Sequence, residues 1–349
     1  MDKIQVAVYG AQMVAVSVYY AIKTLYKDCK VICFIVNDLT GNPVQIDGIP
    51  VVPLDEFQEN HIKILIATPE NHHTSIVEAL EAKGLKDYVC MDSHTEARLM
   101  ERYYNKTGRF QALRTYPKGQ QKADLAVYMT RFHKDKPLRS DYRAQDWVYP
   151  IQAGASCTEI SIADVRDDQG DNISEKNVNY SELSALYWVG KHGIADYLGL
   201  FHYRRILDVQ EEDLYRFPEN DVDVILPYPT VHYPNIREHH KRYLKEQDWC
   251  AMLKALEELA PSYAEAYPFL FEGQYFYNYN MLIAKKEVFK TFCDWLFPIL
   301  ARTEALSEPK GWERADRYIG YLGENLTTLY FLYHQKDFKI AHTGRWMLV

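Results

Sequence analysis

The chain has 349 residues, 47% of them hydrophobic and 25% charged, with a formal net charge of -8 at pH 7. These values describe a folded protein of about two domains, and the acidic balance argues against the basic footprint of non-specific nucleic-acid binding. No stretch approaches the ~20 apolar residues that span a bilayer, and Met1-Asp2-Lys3 leads straight into a strand pattern without a visible leader. A cytoplasmic protein with at most peripheral membrane contact is expected.

The elements alternate from the start. Ile4 to Tyr9 is an apolar strand, Val14 to Leu25 a helix, Val31 to Val36 a second strand, and Ile49 to Val52 a short extended piece. Ile62 to Ala67 is another strand, Thr74 to Lys83 a helix, and Tyr88 to Met91 a closing strand. Strands alternating with helices predict a parallel sheet. Thr95 to about Phe110 reads as a charged amphipathic helix. This first part resembles the small Rossmann-like domain attached to bacterial sugar-modifying enzymes. Its Gly10-Ala11-Gln12-Met13-Val14-Ala15 matches the dinucleotide fingerprint poorly, because Gln12 replaces the glycine that lets the backbone approach a pyrophosphate. The expected layout is a Rossmann-like domain of unknown role over 1–115, a linker over 116–122 marked by Pro117, Gly119 and solvated charges, and a second α/β domain over 123–349.

In the second part Leu125 to Met129 is a strand that runs into Thr130, Arg131, Phe132 and His133, a polar and basic tip suited to a nucleotide. The Gly170–Asn177 loop is rich in turn-forming residues. Asn179 and Glu182 have capping-box spacing, so a helix is expected from near Tyr180, with Glu182 either its cap or a ligand-binding residue. Tyr197 to Leu207 reads as a strand, with His202 and Arg204 on one face and Tyr203 and Arg205 on the other. Two guanidiniums at the tip of an apolar strand are costly unless an anion meets them, and strand tips are where α/β proteins bind ligands. Asp221-Val222-Asp223 could hold a divalent metal or simply open a strand. Tyr228 to Tyr243, with His232, His239 and His240, reads as a mobile acceptor loop or ordinary surface. Phe276 to Ile283 reads as a strand with Asn278 and Asn280 facing the same way, and Glu324 as standing at the head of an apolar helix.

The ordered motifs Gly170-Asp171-Asn172-Ile173-Ser174, Asp196-Tyr197-Leu198-Gly199-Leu200-Phe201-His202-Tyr203-Arg204-Arg205, Asp223-Val224-Ile225-Leu226-Pro227, Tyr279-Asn280-Met281 and Gly320-Tyr321-Leu322-Gly323-Glu324 resemble bacterial glycosyltransferases of capsule, O-antigen and exopolysaccharide clusters. Their shared domain was long catalogued as one of unknown function. The resemblance runs from about Leu125 to about Leu332. It implies a GT-A-like nucleotide-diphosphosugar transferase fold, a mixed and mostly parallel sheet with the donor at the strand ends. It also implies a co-substrate such as a UDP-sugar, a Mn or Mg ion in many such enzymes, and a lipid-linked glycan acceptor. On that basis Thr130, Arg131, His133, Asp171, Asn172, His202, Arg204 and Arg205 are candidates for donor binding. Asn278, Tyr279 and Asn280 are candidates for the sugar or acceptor, and Asp221 and Asp223 for a metal. Glu324 is the candidate base, with Asp316 and then Glu272 in reserve. The expected reaction moves a hexose, galactose or galactofuranose, onto a growing cell-surface polysaccharide with inversion. A nucleotide-cofactor oxidoreductase and a non-catalytic glycan-binding subunit are the alternatives. Oligomeric state is left open.

Overall fold

A computed structural model describes residues 3–59, 61–138 and 142–348. Met1 and Asp2, on which the absence of a leader was read, lie outside the described residues. The first half runs β1 (Ile4–Tyr9), α1 (Met13–Leu25), β2 (Cys29–Val36), β3 (Gln45–Ile46), β4 (Ile49–Pro53), β5 (Lys63–Ile66), α2 (His73–Ala82), β6 (Tyr88–Cys90) and α3 (Ser93–Thr107). The strands form one sheet in the order β3-β4-β2-β1-β5-β6, parallel except for the β3–β4 hairpin. Ends follow local chemistry. Asp92 caps α3 by accepting the Thr95 N–H at 2.7 Å, and left-handed Gly108 stops it three residues before the predicted end. The β3–β4 hairpin, absent from the sequence reading, turns at Asp47-Gly48, both at positive φ, the pairing a tight hairpin requires.

The second half runs β7 (Leu125–Arg131), β8 (Val148–Gln152), β9 (Val165–Arg166), α4 (Asn177–Tyr180), α5 (Leu183–His192), β10 (Tyr197–Phe201), β11 (Arg205–Leu207), β12 (Val224–Pro227) and β13 (Thr230–Val231). It continues through α6 (Glu246–Leu259), α7 (Pro261–Leu270), β14 (Tyr275–Phe276), β15 (Leu282–Lys285), α8 (Lys286–Leu306), α9 (Tyr318–Tyr333), β16 (Ile340–Thr343) and β17 (Arg345–Met347). Seven strands form a sheet in the order β16-β12-β15-β10-β7-β8-β9, in which β15 alone runs antiparallel to its neighbours β10 and β12. This is the expected mixed, mostly parallel α/β sheet. Helices α5, α6, α8 and α9 bury one face, through Leu186, Trp249, Phe292 and Leu326 among others. The opposite face packs under the β11–β17 ribbon and the 3₁₀ segment Glu211–Arg216.

Three expectations change. Residues 116–122 are not a free linker: Gly119 donates to the Tyr215 carbonyl at 2.7 Å, Gln121 to Glu219 at 3.0 Å, and Asn220 to the Pro117 carbonyl at 2.8 Å. The strand predicted over 197–207 breaks at His202. There His202 N–H donates to the Arg205 carbonyl at 3.1 Å and Arg205 N–H returns the bond at 3.3 Å. The segment predicted as a strand over 276–283 is interrupted by Tyr279 and Asn280, at φ 74° and 49°. Period-two alternation holds only where the backbone stays extended, so neither side-chain phasing applies.

The two halves are closely joined. Tyr104 of α3 is fully buried, donates to the Pro229 carbonyl at 2.7 Å and stacks on Tyr228. Val231 N–H donates to Ser17 of α1 at 2.9 Å, and Met347 N–H donates to Ser93 of α3 at 2.9 Å. Among the described residues no helix is long and apolar enough to cross a membrane.

Candidate active site at the tip of the central strand

The tight turn after β10 sets the site. His202 and Arg205 bridge each other across it, so their side chains lie side by side, whereas alternation would have paired His202 with Arg204. Phe201 lies opposite Met129 in the β10–β7 register, which brings the Thr130–Arg131 end of β7 beside the turn. Arg131 is 3.8 Å from Asp135. Burial raises the Asp135 carboxyl, against the Phe132 N–H that it accepts at 2.8 Å and against Arg131, Arg204 and His202. Among the described residues neither Arg204 nor Arg205 has a carboxylate at ion-pair distance; each lies over a ring instead. Arg204 is 5.5 Å from the Tyr203 centroid and Arg205 4.2 Å from that of Tyr279. The Arg204 Nε, His202 Nε2 and His133 Nδ1 atoms are buried without a hydrogen-bond partner.

Two carboxylates meet these cations. Glu182 stands at the start of α5, where Ser181, at φ 51°, separates α5 from α4. Its side chain makes no cap. Instead it lies 3.6 Å from His202 Nε2 and accepts Asn280 Nδ2 at 2.8 Å. Burial pushes Glu182 up, but His202 and Asn280 outweigh it and hold the carboxyl below its ordinary value. Glu324 is partly buried. It sits inside α9, not at its head, because the helix already begins at Tyr318. Beyond the first turn the helix dipole gives a carboxylate little. Burial and then the negative Glu182 push Glu324 up to about 8, against the pull of the Tyr279 backbone N–H, Arg205 and Arg317. Separated environments for two neighbouring carboxylates are how a site divides charge-holding from proton transfer.

Helix α9 reaches this point because it carries no side chain where it crosses α4 and α5. A methyl on Gly323 would meet Leu183 Cδ1 at 2.6 Å, and one on Gly320 would meet Ser181 Oγ at 3.4 Å. The Tyr279-Asn280 turn is fixed from below. Asn280 also donates to the Gly320 carbonyl at 3.3 Å and accepts Thr327 Oγ1 at 3.0 Å. Left-handed Tyr and Asn in succession are strained, and the strain turns the Tyr279 ring toward Arg205 and its N–H toward Glu324.

The structure thus brings together Thr130, Arg131, His202, Arg204, Arg205, Tyr279, Asn280 and Glu324, with His133 on the adjoining β7 loop. Others stand apart. Asp171 accepts Tyr187 Oη at 2.9 Å, its carbonyl lies 2.9 Å from His192 Nε2 at the end of α5, and Asn172 donates to the Asp168 and Gly170 carbonyls, so their loop is tied along α5. Asn278 accepts Thr230 Oγ1 at 2.7 Å in a buried polar chain with His232. Asp316 pairs with Arg314, which also grips Asp248 at 2.7 Å. Glu272 pairs with Arg237 at 2.6 Å. Asp221 and Asp223 both bind Lys285 at the start of β12, the sheet edge opposite the tips. Neither they nor the cationic tip fits a divalent ion, and among the described residues no group of three or more His, Cys, Asp or Glu is placed to hold a metal. His232, His239 and His240 are buried, not part of an open loop. The functional candidates not singled out from sequence are Asp135, Arg317 and Arg345. Arg345, 5.0 Å from the Tyr279 centroid, enters through a strand pairing that no local motif announces.

No curated protein sequence matches the chain. The solved apo structure of WbbM, a bifunctional glycosyltransferase, is similar at 26% identity and TM-score 0.55, over 64% of this chain and 45% of that one. The present chain therefore spans less than half the length of that relative. The likeness agrees with the α/β fold of nucleotide-sugar transferases described above. The family model described as a domain of unknown function, DUF4422, matches residues 127–336, which take in the whole strand-tip site, and the chain belongs to that family.

Proposed function

We propose that this chain is a glycosyltransferase that moves a hexose from a nucleoside-diphosphate sugar, a UDP-sugar first among them, to a hydroxyl of a growing cell-surface glycan. The observation that carries it is the pair Arg204 and Arg205 at a strand tip, with no carboxylate at ion-pair distance among the described residues, and beside Arg205 the Glu324 carboxyl, which burial pushes up to about 8. The likeness to a glycosyltransferase over 64% of the chain supports the same reading. The acceptor oxygen attacks the anomeric carbon, the bond from that carbon to the phosphate oxygen breaks, and the configuration inverts. Glu324 takes the hydroxyl proton. The charge that develops on the departing diphosphate falls to Arg204, Arg205 and His202. Tyr279, whose ring lies under Arg205, steadies that guanidinium. Asn280, its amide already engaged, holds the turn. A lipid-linked acceptor would place the work at the inner membrane surface, in the cytoplasm and with peripheral contact only. Galactose, as pyranose or furanose, is the first sugar to test.

Thermal-shift screening of nucleotide sugars, with manganese and with EDTA, tests the donor class and the metal requirement together. The Glu324→Gln variant is expected to lose transfer by about a hundredfold or more while its donor affinity stays near that of the wild type. Stabilisation by a nicotinamide cofactor and by no nucleoside diphosphate would overturn the reading in favour of an oxidoreductase. Gln12, bonded to Asn42 at 2.7 Å where the pyrophosphate glycine would stand, speaks against that outcome. Glycan binding with no turnover of any donor would identify a binding subunit instead.

A further inference from the structure

The role of the first sheet and its helices is open, and the β11–β17 ribbon connects them to the site. In this antiparallel pair Arg205 lies opposite Met347 and Leu207 opposite Arg345. Opposed residues share a face, so Arg205 and Arg345 are diagonal neighbours on one side of the ribbon. Both guanidiniums lie over the Tyr279 ring, at 4.2 and 5.0 Å from its centroid. Arg345 comes from the chain's C-terminal strand, 140 positions beyond Arg205, yet faces the same ligand space.

That strand is seated on α3. Met347 N–H donates to Ser93 Oγ at 2.9 Å, and the Trp346 ring lies 4.4 Å from His94. A methyl on Gly344 would strike Ala97 Cβ at 2.7 Å, so α3 and the strand are in close contact. Arg345 itself lies 3.7 Å from Glu96 of α3, each side chain 13% exposed. At 3.7 Å this is an ion pair rather than a hydrogen bond, so among the described residues the N–H donors of Arg345 remain for another acceptor. Burial raises the Glu96 carboxyl, opposed by Arg345 and aided by Glu70.

We propose that Arg345 is a third guanidinium of the diphosphate site, and that the first sheet serves the reaction by seating it through α3 and Glu96. The inference rests on the donor reading above and deepens it: the leaving group would be held from both strands of the ribbon, by Arg205 on one and Arg345 on the other.

Calorimetric titration of the full chain with inorganic pyrophosphate tests it. Arg345→Gln, which keeps length and loses charge, is expected to weaken binding about tenfold or more, the scale of a charge-assisted contact. Arg345→Lys should recover part of that. Glu96→Ala, which touches no ligand, should weaken binding about threefold because the guanidinium is no longer held in place. Should Arg345→Gln fail to fold, Arg345→Lys must still bind more weakly than the wild type, since it keeps the charge but loses the planar fork and the ring contact. Wild-type affinity in both Arg345 variants, with binding lost in Arg205→Ala, overturns this proposal and leaves the donor reading standing. A wild-type chain that binds neither pyrophosphate nor UDP overturns both. Unchanged affinity in Glu96→Ala overturns the seating role of the first sheet.

Discussion

Glu182 and Glu324 differ in what surrounds them more than in how deeply they sit. His202 and Asn280 face Glu182, whereas Glu324 faces burial first and then the charge of Glu182. A carboxyl held near 8 acts as a base only in its ionised fraction, so in the free enzyme kcat/KM should rise about tenfold per pH unit below that value and level off above it. Removing the neighbouring charge lowers the cost of ionising Glu324. The Glu182→Gln variant should therefore reach its plateau at lower pH than the wild type, as read from the pH profile of kcat/KM. A plateau that stays in place would mean the two carboxylates do not communicate. At this scale the sequence showed the arginine pair, because charge at the end of an apolar run is anomalous wherever the strand stops. Glu324 is singled out from sequence as the head of a helix, whereas Gly320 and Gly323 already belong to its first turns. Glu182 was legible as a cap or a ligand residue but not its bond to Asn280, far along the chain, and Arg345 gave no signal, since it meets Tyr279 through a strand pairing that no local motif announces.

Elements carry the site because of how they interrupt one another. The β10 strand ends in a tight turn, the Tyr279-Asn280 turn breaks the run into β15, and Ser181 breaks α4 from α5. Regular stretches were legible from apolar periodicity, the interruptions were not, because positive φ at Ser181, Tyr279 and Asn280 is imposed by packing rather than by a glycine that would announce it. The glycines in α9 are the opposite case, visible in sequence but placed ahead of a helix that in fact contains them. Gly323 lets the helix approach Leu183, which is fully buried. Gly323→Ala should cost about 1–3 kcal/mol by overpacking, against a small gain in helix propensity, and it should depress activity by displacing Glu324. Leu183→Ala alone should cost about 2–5 kcal/mol by opening a cavity. The double variant should be more stable than the sum of the two losses implies, since the new methyl enters the space that Leu183 vacates. Urea unfolding of the four proteins measures the coupling, and strict additivity would show that α9 is not held off by that contact.

Across the whole molecule, buried ionisable groups tie stability to pH in opposite directions. His239 and His342 are pushed down to about 3, in both cases chiefly by burial, and burial holds His232 well below its ordinary value. Each is neutral in the folded chain and takes up a proton on unfolding below about 6.5. Their contribution is complete above that value and is lost as the pH falls toward 3, by about 1.4 kcal/mol per pH unit for each fully linked group. Glu324 acts the other way: its raised folded value contributes stability below about 4.5 that is lost as the pH rises through about 8. Glu96 and Asp135, also raised, act with Glu324, and the lowered Glu182 acts with the histidines. Because the three histidine shifts are wide and span the acid range, stability should climb from pH 4 to about 6.5 and then decline toward 8. His239 lies beside Phe276 and His342 is bonded to Tyr277 Oη at 2.8 Å, both against the core of the second half. Because the halves are joined by Tyr104, Ser17 and Ser93, acid should unfold them in one transition. Urea titrations across pH 4 to 9, followed by tryptophan fluorescence and by circular dichroism, test both points. Glu324→Gln should weaken the decline above 6.5 and steepen the climb between about 4.5 and 6.5, because its linkage acts across that whole window. Two separated transitions would show that the sheets melt independently, and the first sheet could then hardly hold Arg345 in register with the site.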